Sequence, residues 1–246
     1  RVHGSDVGIV VTLQDITDRK RLEAETERTR EAFFSMIRHE LKRPLHTIDR
    51  YLNAQSPDGG VVSHAQSASS HLGSMIDDLL LLARLDRDPL AVQPMLTVTV
   101  GELVSGWDLS YRGLADEKEI TLRMSVEDDR VSVRIDERRF LQAVGNVIDN
   151  AVKFTPRTGT IELRAEREDS RLRILVDDSG PGIPLELREQ VFHRFYQASD
   201  GTGRPEGLGL GLAITAGVVA AHGGRVTISD SALGGARFAL ELPVAE

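Results

Sequence analysis

Residues Phe34–Leu52, FSMIRHELKRPLHTIDRYL, decide the architecture of the first half of the chain. Apolar residues recur at Phe34, Ile37, Leu41, Leu45, Ile48 and Leu52, at spacings of 3, 4, 4, 3 and 4, the stripe of a helix packed in a bundle. From Arg19 to about Ala54 there is no glycine and the only proline is Pro44, so the segment reads as one long helix with a single fault. That proline removes a helical N–H and presses its ring against the carbonyl of residue 40, at a cost of about 3 kcal/mol. Downstream, Ser56–Gly60 (SPDGG) is turn chemistry, and Ala65, Ala68, Leu72, Met75, Ile76, Leu79, Leu82 and Ala83 continue a second stripe to about Asp86. Two antiparallel helices therefore form a hairpin. A hairpin alone leaves much apolar surface uncovered, and a second copy is the simplest cover, which predicts a homodimer built on a four-helix bundle.

Outward from the hairpin, Val7–Leu13 (VGIVVTL) reads as a strand and Asp15–Asp18 supplies capping residues for the helix that follows. Asp88–Pro94, with two prolines, reads as linker. Beyond it the periodicities predict a strand at Leu96–Val100, a helix at Glu102–Glu119, strands at Ile120–Val126 and Val131–Ile135, and a helix at Glu137–Phe154. A strand pair follows at Thr160–Arg167 and Arg171–Asp177, then a short helix at Leu185–Phe192, a loop at Ser199–Gly207, a helix at Gly209–His222, and strands at Arg225–Ser229 and Ala236–Leu242. Of the 22 glycines, 13 follow Ala151, so turns and close backbone approaches concentrate in the C-terminal part. The second half is expected to be a two-layer α/β sandwich, and the fold class of the chain α plus α/β.

Composition sets limits on function. The 246 residues hold 38 acidic and 30 basic side chains, a formal charge of −8, the wrong sign for a surface that tracks nucleic-acid phosphates throughout. With no cysteine there is neither a disulfide framework nor a thiolate metal site, which fits a reducing compartment. The apolar run Leu79–Ala83 is far below the roughly 18 residues needed to span a bilayer. A start at Arg1, with no initiator methionine and no secretory signal, reads as a fragment of something longer.

Four groups of residues can carry chemistry. His39 lies two residues from both Ile37 and Leu41, about 200° away on a helical wheel, so it points out of the core. A solvated surface histidine would have the same placement, but Glu40 beside it and the fault at Pro44 suit a nucleophile whose basicity a carboxylate enhances. Asn146 and Asn150 are i, i+4 on one helix face with Lys153 one turn on; they read either as amides bonded to loops or as a hard oxygen ligand for Mg²⁺ beside a phosphate-binding lysine. Asp178, Gly180 and Gly182 (DSGPG) follow a strand directly, and as a plain turn they would be ordinary. Gly207, Gly209 and Gly211 (GLGLG) open the helix ending at His222, where glycine lets backbone N–H groups approach an anion. Between these clusters, Phe192, Arg194, Phe195 and Tyr196 lead into a polar loop with the composition of a lid.

In this order and at these spacings the chain resembles a sensor histidine kinase over about residues 20 to 243. FSMIRHELKRPL (Phe34–Leu45) looks like the H box of that family, NVIDNAVKFT (Asn146–Thr155) its N box, DDSGPGI (Asp177–Ile183) its G1 box, VFHRFY its F box and GLGLGLAI (Gly207–Ile214) its G2 box. The N-terminal strand and DITDRKRLE (Asp15–Glu23) look like the exit of a PAS sensor domain. The resemblance implies the end of a PAS-like domain at 1–17, a signalling helix and dimerisation/histidine-phosphotransfer hairpin at 18–87, a linker at 88–97 and a Bergerat-type ATP-binding catalytic domain at 98–246. It implies a protein-histidine kinase using ATP and Mg²⁺, with a response-regulator receiver domain and an upstream sensor domain as partners, on the cytoplasmic side of a bacterial cell. Membrane attachment of the full-length protein stays open.

By the same resemblance His39 attacks the γ-phosphate and Glu40 is its orienting group or general base. Asn150 is the Mg²⁺ ligand with Asn146 beside it, and Lys153 contacts phosphate. Asp178 bonds the adenine amino group, Gly180 and Gly182 let the base lie against the backbone, and Gly207, Gly209 and Gly211 hinge the lid and hold phosphates. Phe154 packs on the nucleotide and Arg194 meets the phosphates. Three departures stand out. Arg43 replaces the Thr or Asn that serves dephosphorylation in the family, Arg38 replaces a small residue, and Leu208 replaces a frequent Thr that would bond phosphate. An ATPase that does not phosphorylate itself and a non-enzymatic scaffold are the rival readings; nucleotide binding separates the scaffold, and phosphohistidine separates the ATPase.

Overall fold

The computed structural model describes residues 37, 41–42, 44–48, 59–87, 95–197 and 208–245. The expected sensor-domain end, the signalling helix, His39, Glu40, Arg38, Arg43 and Gly207 lie outside the described residues. Residues 44–48 are helical, and Ile37 and Leu41 of the first stripe pack on an apolar cluster that includes Met75, Leu81 and Leu82. Helix α1, Gly59–Arg87, carries the second stripe. It starts inside the segment expected as turn; the first helical residues need no intrahelical N–H partner, so Gly59 and Gly60 fit there without losing a bond.

Strand β1 (Leu96–Thr99) runs directly into helix α2 (Val100–Glu117), two residues earlier than expected. The reason is a capping box. The Thr99 hydroxyl accepts from the Glu102 N–H at 3.4 Å, and the Glu102 carboxylate accepts from the Thr99 N–H at 3.1 Å. The helix ends at Glu117, before Glu119 takes a left-handed conformation with φ 59°. Strands β2 (Thr121–Val126) and β3 (Ser132–Ile135) precede helix α3, Glu137–Phe154, whose limits match those read from sequence because Asp136 caps its first turn through the Arg139 N–H at 3.1 Å. Strands β4 (Thr160–Glu168), β5 (Arg171–Asp178), β6 (Arg225–Asp230) and β7 (Ala236–Pro243) complete the set. The short helix expected over Leu185–Phe192 is instead two 3₁₀ turns, Leu185–Leu187 and Gln190–Phe192. Helix α4 is Gly211–Ala221, two residues shorter at its start than expected because Gly209 sits at φ 64°.

One sheet has the order β2-β4-β5-β7-β6, parallel between β2 and β4 and antiparallel elsewhere, and β1 pairs with β3 in a separate ribbon. Strand alternation divides the larger sheet into two faces. Across β4, β5, β7 and β6, Leu163, Val176, Phe238 and Ile228 form one row and Ala165, Ile174, Leu240 and Val226 the next. Both rows face the helices, where Phe140, Val144, Val147 and Ile148 of α3 close the core. On the other face Arg164 and Arg237 hold Asp177 at 3.2 and 2.8 Å, and Arg225 holds Glu241 at 2.7 Å. That face is covered by the arginine stems, beneath which Leu175 and Ala239 are buried. A helical region thus precedes a helix-on-sheet α/β layer pair. Among the described residues no helix is long and apolar enough to cross a membrane.

Candidate functional site

The end of β5 places two adjacent carboxylates on opposite faces: Asp177 outward among arginines, and Asp178 inward, 6% exposed. Asp178 Oδ1 accepts the backbone N–H of Gly180 at 2.8 Å and of Ala236 at 3.2 Å. Burial raises its pKa, the two backbone bonds oppose that rise, and the neighbouring Asp177 adds to it. Oδ1 is committed to the turn, so Oδ2 is the oxygen left to a ligand.

Two glycines make the arrangement possible. A Cβ on Gly180 would stand 2.9 Å from Asp178 Oδ1 and 3.1 Å from the Phe154 carbonyl, which brings the end of α3 against the DSGPG turn. A Cβ on Gly235 would lie 2.1 Å from Asp178 Oδ1 and 2.6 Å from the Gly180 nitrogen. Gly182 takes φ 73° beside the Gly235 backbone. Gly235 and Ala236 were missed from sequence: a Gly-Gly between two strands reads only as a hairpin turn, and its meeting with Asp178 is a tertiary fact.

On α3 the structure brings Asn146 to Gly211: its Nδ2 donates to the Gly211 carbonyl at 2.9 Å. Asn150 lies one turn further and is half-buried. Lys153 is exposed, with Nζ 5.6 Å from the centroid of the half-exposed Phe154 ring. The last carbonyls of this helix, Val152 and Lys153, both accept from Lys118 Nζ, the latter at 2.8 Å. Lys118 is a third residue without a signal in the sequence; a cation at a helix C-terminus complements the dipole there.

The glycine-rich turn is gathered at one place with the aromatic segment. Gly209 O accepts from the Phe195 N–H at 2.9 Å, and a Cβ on Gly209 would meet the Tyr196 carbonyl at 2.6 Å. Arg194, next to Phe195, is exposed. Leu208 is 6% exposed and packs with Leu210, Ile214 and Val218 against Met75, Leu81 and Leu82 of α1. The residue that departs from the family pattern therefore belongs to the apolar cluster that α4 shares with the helical hairpin. Gathered around one end of the sheet are an inward carboxylate, a glycine turn, an amide-bearing helix face and a helix start, a set able to hold a base at one end and an anion at the other.

The family model described as "Histidine kinase-, DNA gyrase B-, and HSP90-like ATPase" matches residues 135–246, and that of the "His Kinase A (phospho-acceptor) domain" matches residues 29–88. The chain carries the phospho-acceptor and ATPase domains of a histidine kinase. It is 29% identical over 257 residues to the sensor protein DivL of Caulobacter vibrioides, covering 97% of this chain and 32% of that protein. Identity is 31% over 233 residues with the hybrid signal transduction histidine kinase D of Dictyostelium discoideum, covering 89% and 15%. With the signal transduction histidine-protein kinase BaeS of Escherichia coli it is 29% over 240 residues, covering 94% and 50%. The chain spans half or less of the length of these three relatives. Among solved structures, full-length ShkA in complex with AMPPNP superposes with a TM-score of 0.67 at 31% identity, over 87% of this chain and 46% of that one. The mycobacterial sensor histidine kinase MprB superposes with a TM-score of 0.53 at 29% identity, over 61% and 98%.

Proposed function

We propose that this chain binds ATP at the site described, phosphorylates itself on His39 and passes the phosphoryl group to an aspartate of a response-regulator receiver domain. The observation that carries the reading is the Asp178 turn. A buried carboxylate with one oxygen held by two backbone N–H groups presents the other in a fixed direction, as recognition of an exocyclic amine requires. Gly180 and Gly182 leave the backbone open to a flat base. Asn146 and Gly211 join the amide face of α3 to the start of α4, whose N–H groups suit phosphates, with Gly207 and Gly209 ahead of it and Lys153 and Arg194 as further cations.

His39 and Glu40 enter on sequence alone. The His39 nitrogen forms a bond to the γ-phosphorus as the bond to the β,γ-bridging oxygen breaks, ADP leaves, and the imidazole proton passes to Glu40. In the second transfer the nitrogen–phosphorus bond breaks as an aspartate oxygen of the receiver domain takes the phosphoryl group. Magnesium fits the donor set as a companion of the phosphates. Among the described residues no group of three or more His, Asp or Glu could hold a metal by itself, and Asn150 offers one hard amide oxygen, the sparse protein ligation this ion accepts. When bound, Mg²⁺ neutralises phosphate charge. The chain's own residues orient the base, hold the phosphates and carry the proton.

The same reading assigns residues 1–17 to the end of a PAS-like sensor domain, 18–87 to the signalling helix and phosphotransfer hairpin, 88–97 to a linker and 98–246 to the catalytic domain; the structure draws the last two linker residues, Leu96 and Thr97, into the catalytic domain, where β1 pairs them with Ile135 and Arg134 of β3. It makes the chain a homodimer. Ile76 and Leu80, one turn apart on α1, are 45% and 52% exposed in the single chain, and a second hairpin would cover them. It places the domain in the bacterial cytoplasm, where ATP and the regulator are, and Arg43 predicts weak phosphatase activity. The test is transfer of label from γ-labelled ATP to the chain and to His39→Gln. Acid-labile, alkali-stable label in the first and none in the second is expected. ATP binding with no label would support the ATPase reading instead.

A further inference from the structure

Helix α4 carries a single polar side chain in its eleven residues, Thr215, and that side chain is fully buried. Packing alone does not call for it. Valine has the same shape, and a hydroxyl taken out of water is costly unless it is bonded. This hydroxyl is bonded twice over: Oγ1 lies 2.8 Å from the Ala143 carbonyl on α3 and 3.1 Å from the Gly211 carbonyl one turn back on its own helix. Gly211 O is also the acceptor of Asn146 Nδ2 at 2.9 Å. One carbonyl, the first of α4, therefore receives a donor from each of the two helices. The approach is close, since a Cβ on Gly211 would stand 3.3 Å from Asn146 Cγ. Ala143, Asn146 and Asn150 follow at spacings of three and four and share one face of α3.

We propose that Thr215 is a positioning residue for the phosphate end of the nucleotide site: its hydroxyl, shared between the Ala143 and Gly211 carbonyls, fixes the first turn of α4 against the face of α3 that carries Asn146 and Asn150. The proposal rests on the ATP reading above. Backbone N–H groups at a helix start bind anions only where they point. A slide or rotation of α4 moves them relative to Asn150 while Asp178, on β5 and tied to Gly180 and Ala236, keeps its place. Loss of the hydroxyl therefore weakens the hold on phosphates and spares the hold on the base, a split that a general loss of packing would not produce.

The experiment compares the full chain with Thr215→Val and Thr215→Ser, measuring by calorimetry the affinity for ATP with Mg²⁺ and for adenosine, and the thermal midpoint of each. Thr215→Val is expected to weaken ATP about three- to tenfold, the range of one lost hydrogen bond, and to leave adenosine within about twofold. Thr215→Ser, which keeps the donor, is expected to restore ATP binding. Equal weakening of ATP and adenosine, unchanged ATP binding by Thr215→Val, or failure of the serine to restore it overturns the proposal. Should the valine variant not fold, Thr215→Ala removes the same hydroxyl and supports the same comparison. A wild-type chain that binds neither ligand defeats the ATP reading, and this proposal with it.

Discussion

The Nε2 of His222 accepts the backbone N–H of Asp136 at 2.9 Å. Its Nδ1 lies 2.7 Å from the Val218 carbonyl and must therefore carry the proton, so the ring is neutral with both nitrogens engaged. Asp136 caps the start of α3 and His222 closes the end of α4, and one imidazole thus joins the opposite ends of the two helices that build the site. The ring stands edge-on to Phe140, with centroids 6.0 Å apart.

Stability is expected to fall with acid because of this ring. Burial lowers the His222 pKa, and the Val218 carbonyl and Asp136 only partly offset it. The unfolded chain takes up a proton near pH 6.5 and the folded chain does so only lower, so stability present at neutral pH is lost as pH drops below about 6.5, by at most about 1.4 kcal/mol per pH unit. His222→Gln is expected to lose about 1–2 kcal/mol at pH 7.5 through the disturbed bonds and to flatten the decline between pH 7 and 5.5. Denaturant titrations at the two pH values check this; equal slopes for both proteins count against it.

Asp178→Asn is expected to separate binding from folding. The asparagine keeps Oδ1 as acceptor for Gly180 and Ala236 and removes a buried charge, so stability at pH 7 should stay within about 1 kcal/mol of wild type. The second carboxylate oxygen becomes an amide donor, which faces the adenine amino group with the wrong polarity, and ATP affinity should drop by about tenfold or more. In the wild type, burial of Asp178 lets it take up a proton at higher pH than an ordinary carboxylate, so ATP affinity should decline on mild acidification. Calorimetric titration at two pH values, with circular-dichroism melting alongside, reads both arms.

Gly235 and Gly234 are expected to differ although they are neighbours. The Gly235 Cβ position is blocked by the Asp178 backbone and carboxylate and by the Gly180 nitrogen, none of which can swing away, so Gly235→Ala should cost about 2–4 kcal/mol and abolish nucleotide binding. Gly234 has φ 98° with open space around it, so Gly234→Ala carries backbone strain of about 1 kcal/mol and leaves binding intact. Melting curves and ATP titrations of the two variants settle the comparison.

The contrast between these glycines shows what a sequence can and cannot reveal. Helix α3 was readable to the residue because its cap, Asp136, and its apolar period are local. Sequence places the start of α2 two residues late because Val100 continues the alternation of the strand, although Thr99, the last strand residue, forms a capping box with Glu102 that opens the helix at Val100. The 3₁₀ turns at Leu185–Phe192 have helical composition in a segment too short to hold an α-helix. At the site, Asp178, Gly180, Gly209 and the asparagines announced themselves through residue type and spacing. Gly235, Lys118 and Thr215 act through partners many residues away, Asp178, the end of α3 and Ala143, and no local pattern marks such meetings. Leu208 is the instructive case: read along the chain it is a missing phosphate contact, and in three dimensions it belongs to the apolar cluster that α4 shares with the hairpin.

The contact between α1 and the catalytic helices is expected to depend on apolar fit and hardly on charge. Arg138 and Asp77 meet at 3.3 Å but both are mostly exposed, so Arg138→Ala should change stability by less than about 1 kcal/mol. Gln142 donates to Asp78 at 2.6 Å, and burial raises the Asp78 pKa, so this bond offsets the cost of a poorly solvated carboxylate and adds little net attraction. Gly217 of α4 faces Leu85 of α1, where a Cβ would already stand 2.9 Å from Leu85 Cδ1. A valine suits the helical backbone at 217 better than glycine does, so α4 itself is not weakened, while its branched side chain wedges α1 away. Gly217→Val should therefore accelerate amide exchange over residues 75–85 and leave the β4–β5 core protected, whereas Arg138→Ala should change neither; the opposite ranking would show that the charge pair, and not the leucine cluster, holds α1 in place.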